Sequence, residues 1–267
     1  HLVLLCARPM ICLRSPAKTI DFANARDVSP ASQPEFLSDA TYLADKLRKH
    51  SAKHLAVLMA LNPDLAAQTK ERADAWDASA HEDGGKPAAM AFQGAVYRGL
   101  DAASLSSDDL AFAQGHVRII SGLYGILRPL DRMQPYRLEM GLKWPITTKK
   151  KNLYHYWEDR LADHIVGAAN GCLINLASNE YSKAILRKDT PIRVITPQFK
   201  DEVNGQFKSL MTYAKEARGQ MARYLIQQRI ENPIDLKKFT GMGYAFNADL
   251  STENDWVFTR KKTTQSS

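Results

Sequence analysis

The chain has 267 residues, 45% of them hydrophobic, enough for a full core in one body. Its 36 Lys and Arg against 29 Asp and Glu leave a formal charge of +7, a balance that suits a polyanion partner without requiring one. Three sparse cysteines (Cys6, Cys12, Cys172) with no CxxC pair argue against a disulfide framework or a zinc site and fit a reducing compartment; no apolar run is long enough for a transmembrane helix.

The first nine residues, HLVLLCARP, read as an upstream extension, with Met10 as the natural start. Ile11-Cys12-Leu13 is a short buried strand that delivers the turn Ser15-Pro16-Ala17-Lys18-Thr19. Apolar residues at helical spacing predict a helix over 35–49, and Ser51 can cap a second through Leu61. Asn62-Pro63-Asp64 interrupts before a third helix to about Ala78, so 57–68 reads helix, tight turn, helix. Ala89 to Phe92 is read as a strand, followed by a short turn and helix over 94–100. Ser107-Asp108-Asp109 caps a helix to His116, and Val117 to Ser121 is a buried strand.

Neither helix period nor strand alternation runs cleanly through Gly122 to Gly141, GLYGILRPLDRMQPYRLEMG. Its glycines, prolines, tyrosines and charges of alternating sign mark an ordered loop system at a strand's end. Helical periodicity runs through 152–166. Cys172 to Leu176 is another buried strand, and Ser178 caps a helix to about Leu186. Residues 192–195 begin an antiparallel element, and Asn204-Gly205 predicts a hairpin between 196–203 and 206–213. A long helix runs over 214–230, Trp256 to Thr259 is a last strand, and 261–267 form a loose tail. Strands alternating irregularly with helices and a hairpin predict an α+β or irregular mixed α/β fold, one compact body with a central mixed sheet that contains 11–13, 117–121 and 172–176.

Dinucleotide, P-loop, nucleophile-elbow and HExxH motifs are absent, so no cofactor and no metal site is expected. The chemistry-bearing candidates are Lys18, Arg128, Asp131, Arg137, Glu139 and Asn175. Lys18 is either a solvated turn residue or a cation for phosphate. Arg128, Asp131, Arg137 and Glu139 form either a structural ion network or an anion clamp. Lys18, Asp131 and Glu139 are the candidates for moving a proton. Residues 183–229 carry ten Lys/Arg against four acids, and Lys183, Lys208, Lys215, Arg218 and Arg229 are the candidates for phosphate contacts. Lys18, Arg128, Arg137, Asn175 and Lys215 or Arg218 are expected to converge on one cleft. His50 and His54 share a helix face but lack further ligands for a metal.

The motifs SPAKT (15–19), AFQGAVYRGL (91–100), SGLYGILRPLDRMQPYRLEMG (121–141), YHYWEDRL (154–161), NLASNEY (175–181) and AKEARGQMARYLI (214–226) resemble the YaaA (UPF0246) family of bacterial peroxide-stress proteins, in order and from Met10 to about Thr259. The resemblance implies a YaaA-like domain over 10–260 and a cytoplasmic protein that limits free iron and so iron-driven oxidative damage. It also implies binding to duplex or distorted DNA through a basic cleft, and a helix-hairpin-helix element; the charge excess and the lack of a clear recognition helix favour phosphate contacts with little sequence specificity. Residues 57–68 match that element best, but lack the glycines that let backbone N–H groups approach phosphate. An enzyme acting on a small carboxylate- or phosphate-bearing substrate in the same cleft is the rival reading.

Overall fold

The computed structural model describes residues 9–23, 31–81, 85–187 and 189–261. Residues 1–8, which hold most of the expected extension, and the tail beyond Lys261 lie outside them. The strands are β1 (Ile11–Arg14), β2 (Lys86–Pro87), β3 (Val117–Ser121), β4 (Gly125–Leu127), β5 (Arg132–Met133), β6 (Cys172–Asn175), β7 (Arg193–Val203), β8 (Gln206–Lys208), β9 (Ala245–Phe246) and β10 (Asp255–Arg260). The α-helices are α1 (Leu37–Arg48), α2 (Ala52–Met59), α3 (Pro63–Ala75), α4 (Ala88–Ala91), α5 (Ala95–Leu100), α6 (Ser107–His116), α7 (Leu153–Trp157), α8 (Arg160–Ala168), α9 (Asn179–Ser182) and α10 (Met211–Gln227).

The main sheet runs β4-β3-β1-β6-β7-β10-β9, with β8 paired to β7. Strands β3, β1, β6, β7 and β10 are mutually parallel, while β4, β8 and β9 are antiparallel additions. All residues of β1 and β3 are buried, as strands covered on both faces require, and this is why they are mainly apolar, with Arg14, Arg118 and Ser121 as the buried polar exceptions. The chain leaves β1 for β3 on one side and returns to β6 on the other. The carboxyl ends of β1, β3 and β6 therefore bound a topological switch point, where loops diverge and leave a crevice.

Local chemistry explains the element ends. Ser106 and Asp109 form a reciprocal capping box at the start of α6. Asn62 accepts from Leu65 N–H at the start of α3, where Pro63 needs no donor. Ala60 closes α2 in a left-handed conformation, φ 51°, at the place where a hairpin glycine would be expected. The β7–β8 turn uses Asn204 and Gly205 at φ 53° and 73°, the mirror-image geometry that the dipeptide predicts. Helix α10 packs on α5 with no room to spare: a Cβ on Gly219 would lie 2.0 Å from Val96 O, and one on Gly99 2.2 Å from Glu216 O.

Several elements differ from the sequence reading. Residues 88–91 form the buried helix α4, since four small apolar residues suit either state and burial decides. Residues 192–195 feed a parallel strand, because β7 pairs with β6 through Arg193–Ile195 and with β10 through Thr196–Asp201. The returning hairpin strand ends at Lys208, and α10 starts at Met211, three residues earlier than expected. The periodicity over 152–166 belongs to two helices, broken at Glu158 with φ 46°.

Candidate functional site

At the switch point the loop after β1 is pinned down by hydroxyls. Tyr97 OH donates to Ser15 O at 2.9 Å, and Ser178 N–H donates to Ser15 Oγ at 2.8 Å. This joins the SPAK turn to the end of β6 and projects Lys18 outward. Asn175, at the end of β6, bends its own strand exit: its Oδ1 accepts from Ala177 N–H at 3.2 Å, and its Nδ2 faces Thr196 Oγ1 at 3.5 Å. Its amide is thus spent on holding the turn.

The second half of the dense loop returns to the same place. Gly122 allows it, since a Cβ there would meet Leu138 O at 2.4 Å. Tyr136 shares a 2.7 Å hydrogen bond with Ser121 Oγ, and Glu180 Oε1 accepts from Gly141 N–H at 2.9 Å. These contacts bring together Lys18, Arg137 and Glu139, 121 residues from end to end of the sequence. Lys18 Nζ lies 2.9 Å from Glu139 Oε2, and Arg137 Nη2 lies 3.2 Å from Glu139 Oε1. Lys18, Arg137, Glu139 and Tyr181 line a cavity of about 20 Å³, room for one water. Burial, with Glu180 and Glu139 nearby, pushes the Tyr181 phenol up, so it stays neutral.

Glu139 is shared with a larger cleft of about 450 Å³, walled by Leu58, Met59 and Ala60 of the α2–α3 hairpin and by Gly141, Lys143 and Glu180 opposite. Arg72, half-buried on α3, joins the cationic side: its pKa is lowered, first by burial and then by the Arg137 charge. Arg72 and Lys143 form no ion pair among the described residues, and Arg137 Nε is buried without an acceptor. Lys143 lines this cleft, Lys18 and Arg137 line the small cavity that shares Glu139 with it, and Arg72 feels the Arg137 charge, so four cations stand around two carboxylates, Glu139 and Glu180. A surplus of positive charge held at close quarters is the arrangement an incoming anion relieves.

Arg128 and Asp131 are not brought to this cleft. Strand β4 runs antiparallel to β3, with Leu127 opposite Ile119, and so carries them back to the amino-terminal end of β3. There Asp131, fully buried, accepts from Arg128 N–H at 2.7 Å, Arg128 Nε at 3.1 Å and Ser32 Oγ at 2.5 Å. Arg128 also approaches Glu35 at 3.8 Å, and Glu35 reaches His164 Nε2 at 3.0 Å. Burial, only partly offset by these donors, raises the Asp131 pKa. The cluster ties the segment around Ser32 to the loop after β4, a structural ion network. Asp131 is therefore not placed to act with Lys18 and Glu139.

The late basic candidates divide as well. Arg229 is held by Asp109 at 2.6 Å and stacks on the Phe112 ring at 5.2 Å. Lys183 lies over the Tyr154 ring at 4.6 Å. Arg218 is half-buried, its pKa lowered by desolvation. Lys208 and Lys215 are exposed and form no ion pair among the described residues. His50 and His54 stack at 4.4 Å, and Trp144 Nε1–H donates to His50 Nε2 at 3.2 Å. That nitrogen is an acceptor, so the ring is neutral, in keeping with a pKa lowered by burial. Sequence reasoning missed Arg72 and Lys143. Arg72 lies on an ordinary polar helix face, and only the tertiary fold brings it within the field of Arg137.

A carboxyl-end crevice bordered by cations, on an irregular mixed sheet walled by a helical hairpin, defines a mixed α/β protein with a cleft at its topological switch point. The sequence profile described as peroxide stress protein YaaA matches residues 10–250. A UPF0246 protein of Maricaulis maris is 47% identical over 256 residues, covering 94% of this chain and 96% of its own. UPF0246 proteins of Burkholderia mallei and Burkholderia pseudomallei are each 44% identical over 259 residues, covering 94% of this chain and 99% of theirs. The chain belongs to the peroxide stress protein YaaA family, with a general role in peroxide stress.

Proposed function

We propose that the protein serves peroxide resistance by binding DNA through its phosphates, at the cleft between the α2–α3 hairpin and the loop over 137–143. The observation that carries this reading is the surplus of Lys18, Arg72, Arg137 and Lys143 over Glu139 and Glu180. Charge, rather than hairpin backbone, supplies the grip. Leu61 N–H is spent on Ala56 O and Leu65 N–H on Asn62, so the turn does not offer them to a phosphate. Contacts of this kind carry little sequence information. Lys208 and Lys215 extend the basic surface, and Lys183 and Arg218 add to its positive field. DNA covered in this way presents fewer phosphates to free iron, and so suffers less iron-driven oxidation; the setting for this is the cytoplasm. Titrating duplex DNA at several salt concentrations tests the reading. Affinity falls steeply as salt rises, because neutralised phosphates release counterions. Absence of binding at low salt, or a flat salt dependence, contradicts it.

A second reading rests on the size of the cleft. About 450 Å³ is the volume of a small-ligand site. An enzyme would use Arg137 to place a carboxylate or phosphate and Lys18 or Glu139 to move a proton. Peroxide survival lost in Lys18→Met or Arg137→Met with DNA affinity intact would select this reading over the first.

A further inference from the structure

Beside the β7–β8 hairpin lies a groove of about 570 Å³, floored by an arginine held on every side. Arg260 places Nε 2.7 Å and Nη2 2.6 Å from Asp201 Oδ1, and its Nη1 donates to Met242 O at 3.2 Å. Asp201 is buried, and its other oxygen accepts from Tyr244 OH at 2.9 Å. The Arg260 guanidinium is thereby fixed 4.7 Å from the ring centroids of both Tyr244 and Tyr213.

Tyr244 is buried, but Tyr213 is 46% exposed, and its neighbours Leu210 and Met211 are 37% and 71% exposed. Single exposed apolar residues are ordinary, but Leu210 and Tyr213 both line the groove, so exposed apolar surface is gathered on its wall. Cations surround it. Lys261 lines the groove. Lys208 stands opposite Asp201 in the β7–β8 register, so the two side chains project from the same face. The acids are weaker competitors: Asp201 is committed to Arg260 and Tyr244, which leaves Glu202 alone against Lys208 and Lys261.

A flat aromatic surface, backed by a guanidinium and flanked by lysines, matches a base with its phosphates. We infer that Tyr213 is a stacking platform for one unpaired base of a bound DNA strand, with Lys208 and Lys261 on the adjoining phosphates. This inference rests on the DNA-binding reading, and it adds a preference for distorted over regular duplex that a single side chain would carry. In a regular duplex every base face is already stacked and unavailable.

The experiment uses the full chain, a duplex, and the same duplex carrying a short central bubble with 2-aminopurine in it. The wild-type protein binds the bubble roughly tenfold more tightly than the duplex, the worth of one stacked base, and quenches the 2-aminopurine. Tyr213→Ala brings the ratio to about one with duplex affinity unchanged, while Tyr213→Trp keeps the preference; thermal melts confirm that both variants fold. A preference retained in Tyr213→Ala, or an unquenched probe, overturns the platform. Quenching of free 2-aminopurine ribotide without bubble preference overturns it in favour of a free-nucleotide site. If duplex binds with a steep salt dependence but the bubble gains nothing, only the platform falls. If neither DNA binds at low salt, the DNA-binding reading falls with it.

Discussion

Two charged regions grow from one loop and do different work. Arg128 and Asp131 sit among Glu35, Ser32 and His164, with the carboxylate fully buried and its oxygens occupied by three donors. Lys18, Arg137 and Glu139 sit at the other end of β3, where Lys18 is 65% exposed and cations outnumber carboxylates. In the sequence both are arginines and acids spaced two or three residues apart. Burial and charge balance separate them: the first cluster satisfies itself, and the second is left with positive charge to spend.

The largest effect is expected where the first region is broken. Asp131→Ala leaves Arg128 and Ser32 without their acceptor and costs about 3–5 kcal/mol of folding stability, read by chemical denaturation. A loss below about 1 kcal/mol would mean that the network is dispensable and the contrast misplaced. Gly122→Ala tests the joint between the regions. Its methyl would meet Leu138 O at 2.4 Å, so it costs about 1–3 kcal/mol and displaces Arg137 along with the strand exit. Weakened DNA binding in the folded variant is the expected accompaniment; unchanged binding would show that Leu138 does not position its neighbour.

A smaller effect is expected from pH. Burial lowers the His164 pKa; Glu35 opposes the shift, and Arg118 and Arg128 reinforce it. A lowered histidine contributes stability that is complete above the unfolded value of about 6.5 and is lost as pH falls through the folded value. Stability therefore declines as pH drops from about 7 toward the folded value. His50, His81 and His116 have the same sign, each lowered chiefly by burial. His164→Gln makes the decline shallower without removing it. An identical slope in the variant would place the acid sensitivity outside this cluster.

The sheet was legible where burial is complete. Strands β1, β3 and β6 are adjacent and parallel, and each reads as a short, mainly apolar segment because almost all of it is buried. The convergence of Lys18 with the dense loop follows from that adjacency. The division of the loop's charges does not. It depends on Gly125 to Leu127 turning back along β3, and Gly-Ile-Leu carries no alternation from which a strand could be read. Tyr213 was hidden for a related reason: 206–213 reads as one strand, while the backbone turns into α10 at Met211. Arg229 looked like a free cation because its partner, Asp109, lies 120 residues earlier.

The salt dependence of duplex DNA affinity in the wild-type protein and in Arg137→Met tests the central claim most directly. Each phosphate contact contributes about 0.9 to the slope of log affinity against log salt. The variant should bind more weakly on unrelated sequences alike, with a slope shallower by about one contact and an unchanged melting temperature. Equal affinity and equal slope in the two proteins would contradict the assignment of this cleft to DNA phosphates.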